Sequence, residues 1–358
     1  MENFGRIQEF GERLHARMAR AGDEPLGDAE FDELALELFR RQAACMPTLE
    51  RLAVRRGLNL SNRVPWQQLP AIPTRMFKEL DLSCIPEHLR STYFLSSGTT
   101  SEARSRHWHG DESMRLYERS LMTWFHRNHR VERHRFLSLT PDASAAPNSS
   151  LVHMFDRFRL SAGCGLDSFF GRIAGDGSWQ VDFEGLFNVL KLETRPVFLV
   201  GTAFAFVHVL DEMKARGLVF ELPAGSRLME TGGYKGRSRV LTKEELHGQM
   251  RIGFSVRLED IVCEYGMSEL SSQAYDVLSG GVREFRFPSW ARVLLVSPET
   301  GREVGEGEVG ILRVCDLANT FSVMAVQTED LAIRTCGGFQ LKGRLAEAEP
   351  RGCSLMAA

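Results

Sequence analysis

Residues 196–217, PVFLVGTAFAFVHVLDEMKARG, decide how the chain is read. Residues 196–200 form a short apolar run of the kind that makes a buried strand. Gly201 and Thr202 stop it. The Thr202 hydroxyl is placed to cap a helix, residues 203–216 supply that helix, and Gly217 ends it. A buried strand running straight into a capped helix is the repeating unit of a parallel α/β sheet.

The unit recurs outward in both directions. Upstream, residues 135–139 (RFLSL) read as a strand ending at Thr140-Pro141. Downstream, residues 226–230 (SRLME) read as a strand followed by the loop Thr231-Gly232-Gly233-Tyr234. Thr242 and Glu245 then make a capping box that opens another helix. Residues 260–264 (DIVCE) read as a strand leading into Tyr265-Gly266-Met267-Ser268-Glu269. Residues 291–314 differ, reading as two antiparallel strands with a turn at Pro298-Glu299-Thr300-Gly301. The first sixty residues read as helical, with Asp28 as an N-cap, Phe31, Leu34 and Leu38 on one apolar face, and Gly57 at the close. The expected class is therefore α/β, a large domain of mostly parallel sheet with a small antiparallel β portion near the C-terminus. The expected organisation is a helical segment over 1–60, the main domain over 61–340 and a tail over 341–358.

The formal net charge of −3 gives no global field that would favour nucleic acid or an anionic membrane. No apolar run reaches the roughly 18 residues of a membrane span. The charged N-terminus lacks the apolar core of a signal peptide. Seven cysteines with no CxxC pair argue against a disulfide framework or structural zinc, so a reducing cytoplasm is expected.

In open α/β sheets ligands bind beyond the carboxyl ends of the strands, where the loops at 96, 231 and 265 should emerge. Ser96-Ser97-Gly98-Thr99-Thr100-Ser101 combines hydroxyls with one glycine that permits close backbone approach, which suits a phosphate. The GxxxxGK[ST] pattern of a P-loop is absent. Gly232-Gly233 would let a flat ligand lie on the backbone. In the 265–269 loop a tyrosine can stack on a base, a serine can donate to phosphate, and a glutamate can hold a hard cation. Asp330, in Thr328-Glu329-Asp330, can accept two ribose hydroxyls, and Arg344, in Lys342-Gly343-Arg344, can reach a phosphate or ribose oxygen. Each motif alone also reads as an ordinary turn, cap or surface charge.

Together and in this order, SSGTTS, YGMSE, TED and KGR resemble the adenylate-forming ligases, and the ending RLAEAEPRGCSL is similar to acyl-protein synthetases of the LuxE type, more distantly to phenylacetate–CoA ligases. The resemblance covers roughly residues 60–358. It implies ATP and Mg²⁺ as cofactors, and it assigns roles. Ser96 to Ser101 wrap the β- and γ-phosphates, Gly232 and Gly233 approach the adenine, and Tyr265, followed by Gly266 and Met267, stacks on it. Ser268 holds the α-phosphate, Glu269 binds Mg²⁺, Asp330 takes the ribose, Lys342 marks the hinge and Arg344 lies near the nucleotide. It implies a carboxylic acid substrate, a fatty acid in the most similar relatives, and an acyl-accepting reductase or carrier protein as partner. Cys353 is the implied acyl acceptor, in a tail beside Gly352 and two residues from Arg351.

The sequence departs from the broad family in two places. Ser101 stands where a glycine is usual, and no lysine follows, with Arg104 or Arg106 as a replacement charge. Only fourteen residues follow Arg344, none of them lysine, so a C-terminal lid domain with its catalytic lysine is expected to be missing. Two other functions compete with an acyl ligase that loads a thiol: the same adenylate chemistry with CoA or an amine as acceptor, and a non-catalytic binding subunit. Among the remaining residues, His107, His109, His126, His129 and His134 read as solvated or structural rather than as metal ligands. Phe204 and Phe206 read as core or as acyl-pocket lining, and the six cysteines other than Cys353 as small buried hydrophobes.

Overall fold

The computed structural model describes residues 2–21, 24–96, 104–232, 241–279 and 281–345. The chain opens with helices α1 (Glu2–Arg20), α2 (Asp28–Cys45) and α3 (Pro47–Arg55). Strand β1 (Ile72–Pro73), helix α4 (Met76–Glu79) and the hairpin of β2 (Thr92–Leu95) with β3 (Arg106–His109) follow. Next come α5 (Asp111–Asn128), β4 (Arg135–Ser138), α6 (Ser150–Ser161), the small hairpin β5 (Gly171–Ile173) and β6 (Trp179–Val181), and α7 (Phe183–Leu192). Then β7 (Val197–Thr202), α8 (Ala203–Ala215), β8 (Arg227–Thr231), α9 (Lys243–Phe254) and β9 (Ile261–Tyr265) complete the alternating part. The chain ends in β10 (Ala274–Ser279), β11 (Val282–Arg286), β12 (Ala291–Val296), β13 (Val309–Asp316), β14 (Ala325–Arg334) and β15 (Phe339–Arg344).

One sheet runs in the order β12-β13-β14-β15-β11-β10-β9-β8-β7-β4, with β1 added beside β14. Strands β4, β7, β8 and β9 are parallel, as the repeating unit requires. Their side chains alternate between two covered faces. Leu137, Leu199, Leu228 and Ile261 pack with α7, α8 and α9, while Phe136, Phe198, Met229 and Val262 pack with α5 and α6. The antiparallel part takes in β10, β11, β14 and β15 as well as the two strands read from residues 291–314, so it is larger than the sequence suggested. Phe204 and Phe206, in the first turn of α8, are both buried in the core.

The local signals at the helix starts hold in atomic detail. Thr202 Oγ1 accepts from the amide of Ala205 at 3.3 Å, a cap of the kind worth about 0.5–2 kcal/mol. Thr242 Oγ1 accepts from Glu245 N at 3.1 Å, and Glu245 Oε2 accepts from Thr242 N at 2.8 Å. Asp28 differs from expectation: Gly27 occupies the N-cap position, and Asp28 is the first helical residue. There its charge sits favourably at the positive end of the helix without capping it. Cys336 also differs, being exposed between β14 and β15, whereas Cys84, Cys164, Cys263 and Cys315 are buried. No helix among the described residues is long and apolar enough to cross a membrane.

Burial decides the state of three histidines. His107, His109 and His129 are all buried, and burial holds them below the usual imidazole range, His107 at about 4. Both ring nitrogens of His129 lack a partner. The unfolded chain protonates such groups near pH 6.5, and the folded chain resists. Their contribution to stability is therefore complete above pH 6.5 and is lost as pH falls toward 4, at up to about 1.4 kcal/mol per pH unit each. Glu264 and Asp316, pushed up by burial to about 7 and about 6, act in the opposite sense. A difference measurement isolates one histidine: the His129→Leu variant should show a shallower fall in unfolding free energy between pH 6.5 and 4 than the parent, by up to about 1.4 kcal/mol per pH unit. The same change of unfolding free energy with pH in the two proteins, measured by urea denaturation at each pH, would refute this.

Candidate active site

The carboxyl end of β9 and the β14–β15 hairpin meet at one point. Tyr265, the last residue of β9, donates its hydroxyl to Asp330 Oδ2 on β14 at 2.8 Å. Arg344, at the end of β15, donates Nε to Asp330 Oδ1 at 2.8 Å. The register of the hairpin sets this second contact, because Asp330 and Arg344 are direct partners across the ladder. The Tyr265 ring is met edge-on by Phe285, Phe287 and Phe339, with centroids 6.0, 6.2 and 5.7 Å away. Burial, with Asp330 beside it, pushes the phenol upward, so the hydroxyl remains a donor. Three of the residues singled out from the sequence are thus joined by direct hydrogen bonds.

Gly266 follows, where a Cβ would press on the carboxyl of Glu264. That carboxyl is itself buried, accepts from the Thr231 hydroxyl, and is pushed up by burial to about 7. Gly232 ends the neighbouring strand with φ +69°, in the left-handed region that favours glycine. Beneath it Glu230 is held down to about 2: burial alone would raise it, but Lys243 and His247 on α9 outweigh that. This ion cluster ties the start of α9 to the end of β8.

Beyond Gly266 the chain turns through Met267 to the buried pair Ser268 and Glu269, where Ser268 Oγ donates to Glu269 Oε2 at 2.9 Å. Its main chain is fixed from two sides. The ring of His107, on β3, bonds Ser268 O through Nδ1 at 2.8 Å. Asn319, after β13, donates Nδ2 to Glu269 O at 2.8 Å. Burial keeps His107 neutral, so Nδ1 carries the proton it donates. The first contact matters for the hydroxyl loop, because β3 and β2 flank it. Ser96 closes that hairpin, with its amide donating to Ser105 O and its Oγ accepting from Ser105 N, each at 3.1 Å. Ser97, Gly98, Thr99, Thr100, Ser101, Gly233 and Cys353 lie outside the described residues. Lys342 is exposed near Gln340 on β15.

His107, Glu264 and Asn319 are contributors that the sequence did not announce. His107 stood out only as half of an HxH pair, and its partner is 161 positions away. Asn319 lies three residues after Asp316 at a strand end, a pattern that marks a turn and nothing more.

The donor set can hold a hard cation. The Glu269 carboxylate takes one hydrogen bond from Ser268, which leaves lone pairs for a metal. No group of three or more His, Cys, Asp or Glu side chains suited to a metal occurs among the described residues. A cation here would rest on one carboxylate and on ligand oxygens, which is how Mg²⁺ is commonly bound.

The family model described as acyl-protein synthetase, LuxE, matches residues 63–357. No curated protein matches the chain. Among solved structures the fold is similar to an open conformation of 2-hydroxyisobutyryl-CoA ligase in complex with 2-HIB-AMP and CoA, at 13% identity, 92% of this chain, 78% of that chain and a TM-score of 0.66. The postadenylation state of the same ligase with 2-HIB-AMP gives 14% identity, 90% and 69% coverage and a TM-score of 0.65. ATP-bound MatB from Rhodopseudomonas palustris gives 14% identity, 71% of this chain, 48% of that chain and a TM-score of 0.51. At such identities the likeness establishes the fold.

Proposed function

The chain belongs to the LuxE acyl-protein synthetase family, and from that membership we propose that it activates a carboxylic acid, a fatty acid in the first instance, as an acyl adenylate and then passes the acyl group to a thiol. The observation that carries this reading is the junction of Tyr265, Asp330 and Arg344, three residues of separate motifs bonded to one another at the end of a parallel strand. In the first half-reaction the acid's oxygen bonds to the α-phosphorus of ATP and the bond to pyrophosphate breaks. In the second, a thiolate bonds to the acyl carbon and AMP leaves.

The chain's own groups act by position and charge. Asp330 keeps lone pairs beyond those used by Tyr265 and Arg344, and these accept the ribose hydroxyls. Arg344 places a guanidinium beside them. The ring of Tyr265, held by three phenylalanines, gives the base a rigid wall. Glu269 offers its carboxyl oxygens where a cation is wanted, and the Ser268 hydroxyl beside it can turn to a phosphate oxygen. A magnesium ion bound there would offset the negative charge that builds on the phosphates. Cys353, or a cysteine of a carrier or reductase partner, is the acceptor. The expected cofactors are therefore ATP and Mg²⁺.

The deciding experiment is acid-dependent exchange of pyrophosphate into ATP across a panel of acids. No exchange with any acid would leave a binding subunit as the reading. Exchange without an acyl-enzyme would point to CoA or an amine as acceptor. The ribose role is checked separately. Asp330→Asn should lower kcat/KM for ATP by about 10- to 150-fold, the equivalent of one hydrogen bond to a charged group at about 1.5–3 kcal/mol. An unchanged KM and kcat for ATP would remove Asp330 from the nucleotide site.

A further inference from the structure

The loop that carries Ser268 and Glu269 is held from behind by an entirely buried polar network, and the far end of that network lies outside the family match. Asp316 accepts from Ser271 N at 3.0 Å and from Ser272 N at 2.8 Å through Oδ2, and from Ser272 Oγ at 2.7 Å through Oδ1. Asn319 accepts from Ser271 Oγ at 2.6 Å and donates to Glu269 O at 2.8 Å. The 316–324 segment therefore grips residues 269–272 at five points. That segment is gripped in turn by helix α2. Gln42 Nε2 donates to Asn319 O at 2.8 Å and to Thr320 O at 3.1 Å, and Gln42 Oε1 accepts from Met324 N at 3.1 Å. Gln42, Asp316 and Thr320 are 0% exposed, and Asn319 is 1%.

A buried glutamine with three main-chain bonds to one segment is more than filler. An apolar side chain of the same length would fill the space, leave the Thr320 carbonyl and the Met324 amide without partners, and reduce Asn319 O to its bond from Ser322 N. Gln42 also precedes residue 63, where the family match begins. We infer that Gln42 is a positioning residue for the cation-binding loop, acting through Asn319 to hold the Glu269 main chain, so that the N-terminal helices form a working part of the site. This inference rests on the reading of Glu269 given above, but its mechanical part does not need that reading.

The test compares the full-length parent with Gln42→Leu and, separately, Asn319→Asp, which puts a carboxylate oxygen where the Glu269 carbonyl needs a donor. The first readout is hydrogen–deuterium exchange of the ligand-free protein. Peptides covering 269–272 should exchange about tenfold faster or more in both variants, because each substitution releases a tie on the 316–324 segment that carries Asp316, the acceptor of the Ser271 and Ser272 amides, while peptides covering β7 stay as in the parent. The second readout is acid-dependent pyrophosphate exchange against Mg²⁺ concentration. The half-saturating Mg²⁺ should rise and kcat should fall by about 10- to 100-fold, with KM for the acid unchanged. Unaltered protection of 269–272 in either folded variant overturns the inference. So does a loss of protection that is equal in β7, which would make Gln42 a general stability residue, and so does local loosening with the Mg²⁺ dependence intact. If the parent itself shows no pyrophosphate exchange, the functional reading fails, and the deuterium result alone decides the mechanical link.

Discussion

Glu269→Gln should lower the rate of acid-dependent ATP–pyrophosphate exchange by about 10²- to 10³-fold, a loss of about 2.7–4 kcal/mol in transition-state stabilisation if it resembles removal of an oxyanion donor. The substitution is chosen because it changes charge and almost nothing else. The glutamine carbonyl can still accept from Ser268 Oγ, and Asn319 grips the main chain of residue 269 whatever its side chain. Folding should therefore survive, with an unfolding midpoint close to the parent. No shielded carboxylate would remain to hold a cation, and the phosphates would meet one another without compensation. Exchange undiminished in a folded variant would show that Glu269 has no part in holding the metal.

Cys353→Ser should separate the two halves of the reaction. It should retain pyrophosphate exchange and lose the hydroxylamine-labile acyl-protein completely. A serine hydroxyl lacks the acidity that makes a thiol a nucleophile near neutrality; a free thiol titrates near 8.5, and a neighbouring cation such as Arg351 raises the thiolate share. A tethered acceptor also meets the acyl adenylate at an effective concentration on the order of millimolar. A labelled thioester that persists in the serine variant would move the acceptor to another cysteine, with exposed Cys336 the first to examine.

What could be read in advance was what is local. The strand of residues 196–200 was visible because burial on both faces writes itself as an apolar run, and Thr202 and Thr242 because a cap needs only its own first turn. Asp28 was misjudged by one position, since Gly27 and Asp28 are both acceptable at a helix start and nothing local separates them. The pairing of β11 with β15 was not legible. Antiparallel partners are chosen by side-chain fit across the fold, and Phe285 and Phe339 lie far apart in sequence. The site divides in the same way. Tyr265, Glu269, Asp330 and Arg344 stood out through their motifs, whereas Gln42, His107, Asp316 and Asn319 are polar residues whose meaning lies in partners 44 to 282 positions distant. Composition cannot announce a buried amide that serves someone else's backbone.

The junction of β11 and β15 has one more consequence. Between the half of the sheet that ends in Tyr265 and the half that carries Asp330 and Arg344, the ladder is a single rung, Phe285 opposite Phe339, reinforced by stacked rings. It is the thinnest weld in the sheet, and the nucleotide proposed above would lie across it, touching both banks. Such a molecule acts as a rivet. Its binding free energy, RT ln(1 + [L]/Kd), is added whole to the work of prying the two plates apart, so the joint is strongest when the enzyme is loaded.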